Sequence, residues 1–269
     1  MNVQKIKRAN SDVEIAYEVI GEGYPLAFMH GLGAGRAQTT SALTALNDTQ
    51  LIAPDMLGHG DSISDDSEAV MSFDQSADDV ITILNHLDIE KANIGGLSMG
   101  SGIALNIALR YPERVNKLIL LRPSWDQKKP DHLALVAYVG KWIISNGVEV
   151  AEQKLIEHPD YISLFDEVPK VAESIRGLFK RPDHLSHTTV LYKMWEDTPF
   201  ASLSDLSKIQ NDALMLFTTR DNLHPIPVAE SVANALPNIQ ASTELPPRYD
   251  EPEDYTIALN EVINQFLHH

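Results

Sequence analysis

The sequence predicts an α/β protein whose core is a mostly parallel, doubly wound sheet that carries a helical insertion. Strand-like and helix-like segments alternate through the first part of the chain, and this alternation stops near Trp125. From there to Ser204 the pattern is only helical, and strands resume at Ala213. Alternating strands and helices form a parallel sheet covered on both faces. We therefore divide the chain into an α/β core, residues 1–124 and 205–269, and a helical cap insertion, residues 125–204.

The predicted strands are mostly short apolar runs that end at polar residues or glycine. Parallel strands have this composition because both of their faces are buried. The segment 13–20 instead alternates apolar and polar residues, which predicts an antiparallel edge strand. The predicted strands are 13–20, 25–29, 51–54, 91–97, 117–121, 213–217 and 239–245.

Helices are predicted where apolar residues recur at helical spacing. In the segment 73–87, Val80, Leu84 and Leu87 share one face, and Asp74 lies near the start, where the helix macrodipole favours negative charge. The predicted core helices are 37–46, 73–87, 102–109, 227–236 and 253–267.

Composition excludes several classes of function. The chain has 269 residues, with 21 Lys and Arg against 38 Asp and Glu, a formal charge of −17. Such a charge repels nucleic acid and anionic membranes, so the expected partner is a small-molecule substrate. With no cysteine, disulfides, thiolate metal sites and a cysteine nucleophile are excluded.

No cofactor is expected. Gly31, Gly33 and Gly35 lack the spacing of a dinucleotide-binding loop, and they lack its downstream acidic residue. His184 and His187 suit one helix face, but no third ligand joins them, so no metal site is expected.

A cytoplasmic location is expected. The segment from Met1 to Arg8 lacks the apolar stretch of a signal peptide, and no run reaches the roughly 18 apolar residues of a membrane span. The sequence leaves the oligomeric state open, a homodimer included.

One pentapeptide carries the chemistry. Gly96-Leu97-Ser98-Met99-Gly100 follows a predicted strand and precedes a predicted helix, which is the setting that gives a Gly-x-Ser-x-Gly pattern its meaning. The turn strains the serine backbone, and the residues two away must be small. It also holds the Ser98 hydroxyl above the sheet edge, at a helix N-terminus with free amides. Ser98 is thus a candidate nucleophile; the alternative is a glycine-rich turn with an incidental serine.

Three other landmarks accompany this turn in chain order: His30-Gly31-Leu32-Gly33, the segment from Asp55 to Ser62, and Tyr111 to Val115. Together with the pentapeptide, they make the chain resemble the α/β-hydrolase fold family over nearly its whole length.

The resemblance implies an oxyanion hole formed by the backbone amides of Leu32 and Met99. Two preorganised donors stabilise a tetrahedral intermediate, and losing one costs on the order of 3 kcal/mol. His30 is expected to support its loop by hydrogen bonding, and His59 is expected to be structural.

The acid of a triad is expected after the strand 213–217, in the chain order Ser, Asp, His. Asp221 lies on that loop, as in the family, where it would orient and stabilise an imidazolium. The alternative is an aspartate of an ordinary turn.

The position of the catalytic base departs from the family pattern. The resemblance places a histidine after the last strand, but residues 245–255 contain none, and Tyr255 occupies the remaining family position. A serine without a base is a poor nucleophile. Three alternatives follow: His224 reaches Ser98 from an unusual direction, a cap histidine does so, or there is no base. The cap candidates are His132, His184 and His187.

The leading hypothesis is a serine hydrolase that cleaves a carboxylic ester through an acyl-serine intermediate. Its catalytic residues would be Ser98, Asp221 and His224, with the Leu32 and Met99 amides as the oxyanion hole. The alternative from another class is a small-ligand binding protein, or a weakly active relative, with an incomplete triad. A third is other chemistry in the same pocket, such as carbon–carbon bond hydrolysis or haloperoxidase-like activity.

The cap insertion bears on the substrate. It supplies many large apolar side chains, so the pocket over Ser98 is predicted to be mainly apolar and to take a small acyl group of low polarity. The overall charge disfavours strongly anionic substrates, although Arg122 or Lys128 would override that locally. The apolar candidates are Tyr138, Trp142, Ile143, Ile144, Phe165, Leu178, Phe179, Leu191, Tyr192, Met194 and Trp195.

Overall fold

The computed structural model describes residues 3–8, 11–66, 69–182 and 184–268. Its strands form one eight-stranded sheet in the order β1-β2-β4-β3-β5-β6-β7-β8. From β4 to β8 neighbouring strands are parallel, whereas β1 and β2 are antiparallel to their neighbours. The predicted α/β class is confirmed. The strands are β1 (Gln4–Lys7), β2 (Glu14–Ile20), β3 (Tyr24–Met29), β4 (Thr49–Pro54), β5 (Ala92–Leu97), β6 (Val115–Leu121), β7 (Ala213–Thr218) and β8 (Ile239–Leu245).

Helices connect the strands and cover both faces of the sheet. Within the described residues, no helix is both long and apolar enough to cross a membrane. The helices are α1 (Arg36–Ala42), α2 (Phe73–His86), α3 (Met99–Arg110), α4 (Ala134–Asn146), α5 (Val148–Ile156), α6 (Pro159–Glu167), α7 (Pro169–Arg176), α8 (Leu185–Glu196), α9 (Ile226–Ala235) and α10 (Pro252–His268).

Two features of the sheet edge differ from the prediction. The short strand β1 was not predicted, because Ile6 is the one apolar residue in its four. Since β1 pairs with β2 from Gln4↔Tyr17 to Lys7↔Glu14, β2 is antiparallel as predicted, but it is not an edge strand. After β1 the chain is anchored by a buried ion pair, in which the Arg8 guanidinium donates two hydrogen bonds of 2.7 Å to Asp79 on α2.

The apolar core lies on the two faces of the sheet. Side chains alternate across a strand, and the two faces are separate clusters. Ala27 and Met29 point to the face covered by α2 and α3, and Leu26 and Phe28 point to the face covered by α10. Burial on both faces explains why these strands read as continuous apolar runs.

Among the described residues, five α-helices, α4 to α8, lie between β6 and β7 in the chain. Helices α4 and α8 approach closely at Gly140, where an added Cβ would lie 2.8 Å from the Thr188 carbonyl oxygen. This segment falls within residues 125–204. The division of the chain into core and cap at these boundaries stays a prediction.

Candidate active site

Ser98 lies at a strained turn between β5 and α3. Its backbone φ of 56° and ψ of −113° depart from the usual conformations of a non-glycine residue. A Cβ on Gly96 would lie 2.2 Å from the Gly100 carbonyl carbon, and a Cβ on Gly100 would lie 2.1 Å from the Met29 oxygen. Both positions therefore require glycine. Helix α3 begins at Met99, three residues before the predicted start, so Ser98 stands directly at the helix N-terminus.

Ser98 borders a cavity of about 200 Å³, which is smaller than the roughly 300–1,000 Å³ of typical small-molecule sites. Although the residue is only 5% exposed, it contributes to the cavity wall. The wall is formed by loops at the carboxyl ends of the strands and by residues of α4 and α7. The lining residues are Gly31, Leu32, Gly33, Ala34, Gln38, Leu97, Ser98, Leu133, Val136, Ser174, Ile175, Leu178, Leu223, His224, Arg248 and Tyr249.

The loop after β7 brings the imidazole of His224 to this cavity and pairs it with the carboxylate of Asp221, which does not itself border the cavity. His224 Nδ1 lies 2.8 Å from Asp221 Oδ2. Because the carboxylate can only accept, Nδ1 carries the hydrogen, and Nε2 is left as a potential proton acceptor. The same Oδ2 accepts a 2.7 Å hydrogen bond from Arg122 Nη1. Asp221 is therefore held from two sides, and His224 is fixed in one tautomer.

Burial and charge set the protonation states of this group. Burial alone would raise the pKa of Asp221, but His224 and Arg122 outweigh it and hold that pKa well below its usual range. Burial lowers the pKa of His224, and Arg122 adds to that effect against the opposing pull of Asp221. At neutral pH, Asp221 is thus ionised and His224 is neutral, which are the states that general-base chemistry needs.

The Ser98 hydroxyl is hydrogen-bonded to another serine. Its Oγ lies 3.1 Å from Ser124 Oγ, and Ser124 Oγ donates a 2.8 Å hydrogen bond to the Leu223 carbonyl. Since the Ser124 hydrogen is used there, Ser98 is the donor to Ser124. Among the described residues no hydrogen bond joins Ser98 to His224, although both side chains border the same cavity.

The loop after β3 is fixed by two buried histidines. His30 Nδ1 lies 2.8 Å from the Gly31 oxygen, and its Nε2 accepts from the Met56 amide at 3.0 Å. His59 Nε2 accepts from the Gly33 amide at 3.0 Å. Burial lowers the pKa of His30 to about 4. Both rings therefore support the loop, as expected for His30 and His59.

This arrangement leaves backbone donors free beside Ser98. The Gly31 and Gly33 amides are bonded to side chains, whereas the Leu32 amide has no acceptor within the described part of the chain. Met99 is the first residue of α3, where an amide has no acceptor within its own helix. A Cβ on Gly31 would lie 3.5 Å from Ser98 Cβ, so this loop is in contact with the turn.

The other candidates for the base do not border the cavity. His184 contacts Ser186 and Asp65, and His187 contacts the Gly60 oxygen. His132 is largely buried, and burial and the nearby His224 lower its pKa to about 4.

Tyr255, which was predicted to occupy the position of the family's histidine, is buried on the face of the sheet that α10 covers. Its ring lies 5.6 Å from the Arg122 guanidinium carbon.

Three residues of the site were not recognised in this role from the sequence: Arg122, which holds Asp221; Ser124, which holds Ser98; and Arg248, which borders the cavity. Arg122 and Ser124 lie within three residues after the end of β6, and Arg248 lies three residues after the end of β8. Polar residues just after parallel strands meet at one sheet edge, and this is the signal that would have found them.

Comparison with known proteins agrees with this architecture. The chain belongs to the alpha/beta hydrolase fold family, whose model matches residues 24–249. The structure is similar to that of a thermophilic esterase from Thermogutta terrifontis, with a TM-score of 0.75 at 25% identity over 98% of this chain and 99% of that one. A meta-cleavage product hydrolase from Pseudomonas fluorescens gives a TM-score of 0.71 at 23% identity, over 95% and 94% of the two chains, and shows the fold alone.

Curated relatives match a shorter region. A 2-hydroxymuconate semialdehyde hydrolase from a Pseudomonas strain is 38% identical over 105 residues, which is 38% of this chain and 37% of that protein. The matched region thus spans well under two thirds of that relative.

Proposed function

We propose that this protein is a serine hydrolase that cleaves a small carboxylic ester through an acyl-serine intermediate. The observation that carries the proposal is the meeting, at one cavity, of Ser98 on its strained turn and His224, whose imidazole is paired with Asp221. An esterase among the similar structures supports the same class. The acid and base then lie three residues apart on one loop, in place of the family's arrangement on two loops.

The reaction uses each group in turn. The Ser98 hydroxyl turns from Ser124 toward His224 Nε2, gives its proton to that nitrogen and bonds to the substrate carbonyl carbon. The amides of Leu32 and Met99 stabilise the resulting oxyanion. His224 returns the proton to the leaving alcohol. A water molecule then attacks the acyl-serine by the same path, which releases the acid and restores Ser98.

Asp221 and Arg122 act on the histidine, not on the substrate. Asp221 keeps the Nδ1 hydrogen in place and stabilises the imidazolium that forms during each proton transfer. Arg122 fixes the carboxylate, because its 2.7 Å hydrogen bond ends on the same oxygen that His224 contacts.

Replacing Ser98 with alanine tests the proposal directly. A panel of short-chain nitrophenyl esters should be hydrolysed with saturation by the wild type, and Ser98→Ala should lower kcat by a factor of about 10⁴ or more. A fluorophosphonate probe should label the wild type at Ser98, as located by mass spectrometry of the peptides. Equal labelling of wild type and Ser98→Ala would refute the nucleophile.

The base is tested by a pair of histidine variants. His224→Ala should lower kcat by roughly the same factor as Ser98→Ala, because the two residues act as a unit. His132→Ala is the matched control, since it removes a buried imidazole near His224 that does not border the cavity. Unchanged turnover in His224→Ala would exclude it as the base.

Two alternatives remain. A binding protein with an incomplete triad is favoured by the hydrogen bond from Ser98 to Ser124, and Ser98-dependent ester hydrolysis with saturation would exclude it. Hydrolysis of a different bond is favoured by the similarity to 2-hydroxymuconate semialdehyde hydrolase. Hydrolysis of 2-hydroxymuconate semialdehyde by the wild type but not by Ser98→Ala would distinguish this activity from ester hydrolysis.

A further inference from the structure

The cavity at Ser98 contains a cation that the proposed chemistry does not use. Arg248 borders the cavity together with Ser98 and His224. Its lining includes no Asp or Glu, although acidic residues outnumber basic ones in the chain by 38 to 21. The sign of the charge at the cavity is therefore opposite to that of the whole protein.

Arg248 has no anionic partner within the described residues. Two other arginines of this region each form an ion pair with a carboxylate: Arg122 with Asp221, and Arg220 with Asp250. The Arg248 guanidinium carbon lies over the Tyr249 ring, 5.4 Å from the ring centroid. Burial and the nearby Arg122 lower the pKa of Arg248, yet a guanidinium stays protonated at neutral pH.

The local charges leave an excess of one positive charge. Arg122 and Arg248 are cations, Asp221 is the carboxylate near both, and His224 is neutral. A largely buried charge without a partner is costly, and binding an anion would offset that cost. Arg248 also lies on the loop after β8, and residues 246–251 of that loop contain no histidine that could act as the base.

We propose that Arg248 binds a carboxylate of the substrate, so that the preferred ester carries an anionic group within reach of the cavity. The planar guanidinium donates two parallel hydrogen bonds to such a group, which fixes its orientation as well as its position. This inference rests on the proposed hydrolase function. It replaces the expectation of a substrate of low polarity, which followed from the apolar cap, and the expectation from the overall charge that anionic substrates are disfavoured.

The test compares two nearly isosteric esters, mono-4-nitrophenyl adipate and its amide, 4-nitrophenyl adipamate. The wild type should favour the carboxylate in kcat/KM by about tenfold to a hundredfold, the range of one charge-assisted contact. Arg248→Met should bring this ratio close to one, and Arg248→Lys should retain part of it, because lysine keeps the charge without the planar fork. The ratio is the readout, because a general loss of folding or catalysis cancels in it.

Arg220→Met is the matched control. It removes an arginine from the loop after β7 and changes the net charge equally, but Arg220 lies outside the cavity and pairs with Asp250. Its ratio should equal that of the wild type. A ratio near one in the wild type, or an undiminished preference in Arg248→Met, would overturn the carboxylate site. Ser98-dependent hydrolysis of the ester bond in 4-nitrophenyl adipamate would still uphold the hydrolase function in that case.

Binding gives a readout that does not need turnover. Titration calorimetry should show that Ser98→Ala binds adipate more tightly than Ser98→Ala/Arg248→Met does. Adipamide, titrated in the same way, is the uncharged comparison. Equal affinities for the two proteins would contradict the carboxylate site even if neither ester were hydrolysed.

Discussion

The imidazole of His224 is buried beside the carboxylate of Asp221, which also binds the Arg122 guanidinium, and these surroundings determine how the proposed reaction depends on pH. Burial and Arg122 disfavour its protonated form more than Asp221 favours it, so the pKa of His224 lies below its ordinary value. A general base works only when neutral. The working form of His224 therefore persists further into acid than that of a free histidine.

The expected consequence is an acid limb of kcat/KM with a midpoint below pH 6.5, the ordinary pKa of histidine. Activity should be constant above this limb and should fall tenfold per pH unit well below it. The measurement is kcat/KM for a neutral nitrophenyl ester across pH 4 to 8, with protein integrity checked at each pH. A midpoint above 6.5 would show that Asp221 prevails over burial.

Residues differ in how far the sequence predicts them. Ser98 was singled out because sterics require glycine at Gly96 and Gly100, and that requirement is visible in the sequence. The pairing of His224 with Asp221 is also local, since three residues separate them. Arg248 reaches the cavity, and Ser124 reaches Ser98, through tertiary packing. Their position just after a parallel strand marks the sheet edge that they share, but it does not show which side chain there turns toward the site.

At the scale of elements, the turn between β5 and α3 is the most constrained feature. Gly96→Ala should lower the free energy of unfolding by more than about 3 kcal/mol, because the alanine Cβ would lie 2.2 Å from the carbonyl carbon of Gly100. Urea unfolding measures the difference.

Gly177→Ala is the control for this substitution. An added Cβ there meets nothing within 4 Å, and its φ of −58° suits alanine. It should be neutral or stabilise the protein by up to about 1 kcal/mol. A Gly96→Ala protein as stable as the wild type would contradict the tight packing described at the turn.

Element boundaries follow from what each segment buries. Strand β8 was predicted with its observed ends, and buried parallel strands were placed within two residues at either end. Strand β1 was missed because pairing with β2, not apolar burial, holds it in place. Of the apolar cap residues named from the sequence, Leu178 borders the cavity. Leu133, Val136 and Ile175 also border it, although the sequence did not single them out. Helical spacing identifies a buried face, but not which neighbour covers it.

The whole molecule should lose stability in mild acid. Burial lowers the pKa of His30 to about 4 and places that of His59 well below its ordinary value. Between pH 6.5 and 4 the unfolded chain binds protons that the folded protein refuses, so the stabilisation is complete above about pH 6.5 and is lost on acidification. From pH 6.5 to 5 each histidine should account for roughly 2 kcal/mol.

Urea unfolding at a series of pH values tests this expectation. The free energy of unfolding should fall steadily from pH 6.5 downward. A constant value between pH 6.5 and 5 would show that both of these histidines accept a proton in the folded protein.

The acid and the base of the proposed site share a single short loop after β7, three residues apart. Proton transfer consequently depends on the loop after β7, and the loop after β8 takes no part in it. Residues 246–251 can then change, in nature or in a library, to suit different ligands without altering the proton path. An evolving enzyme of this design could exchange selectivity and retain its chemistry.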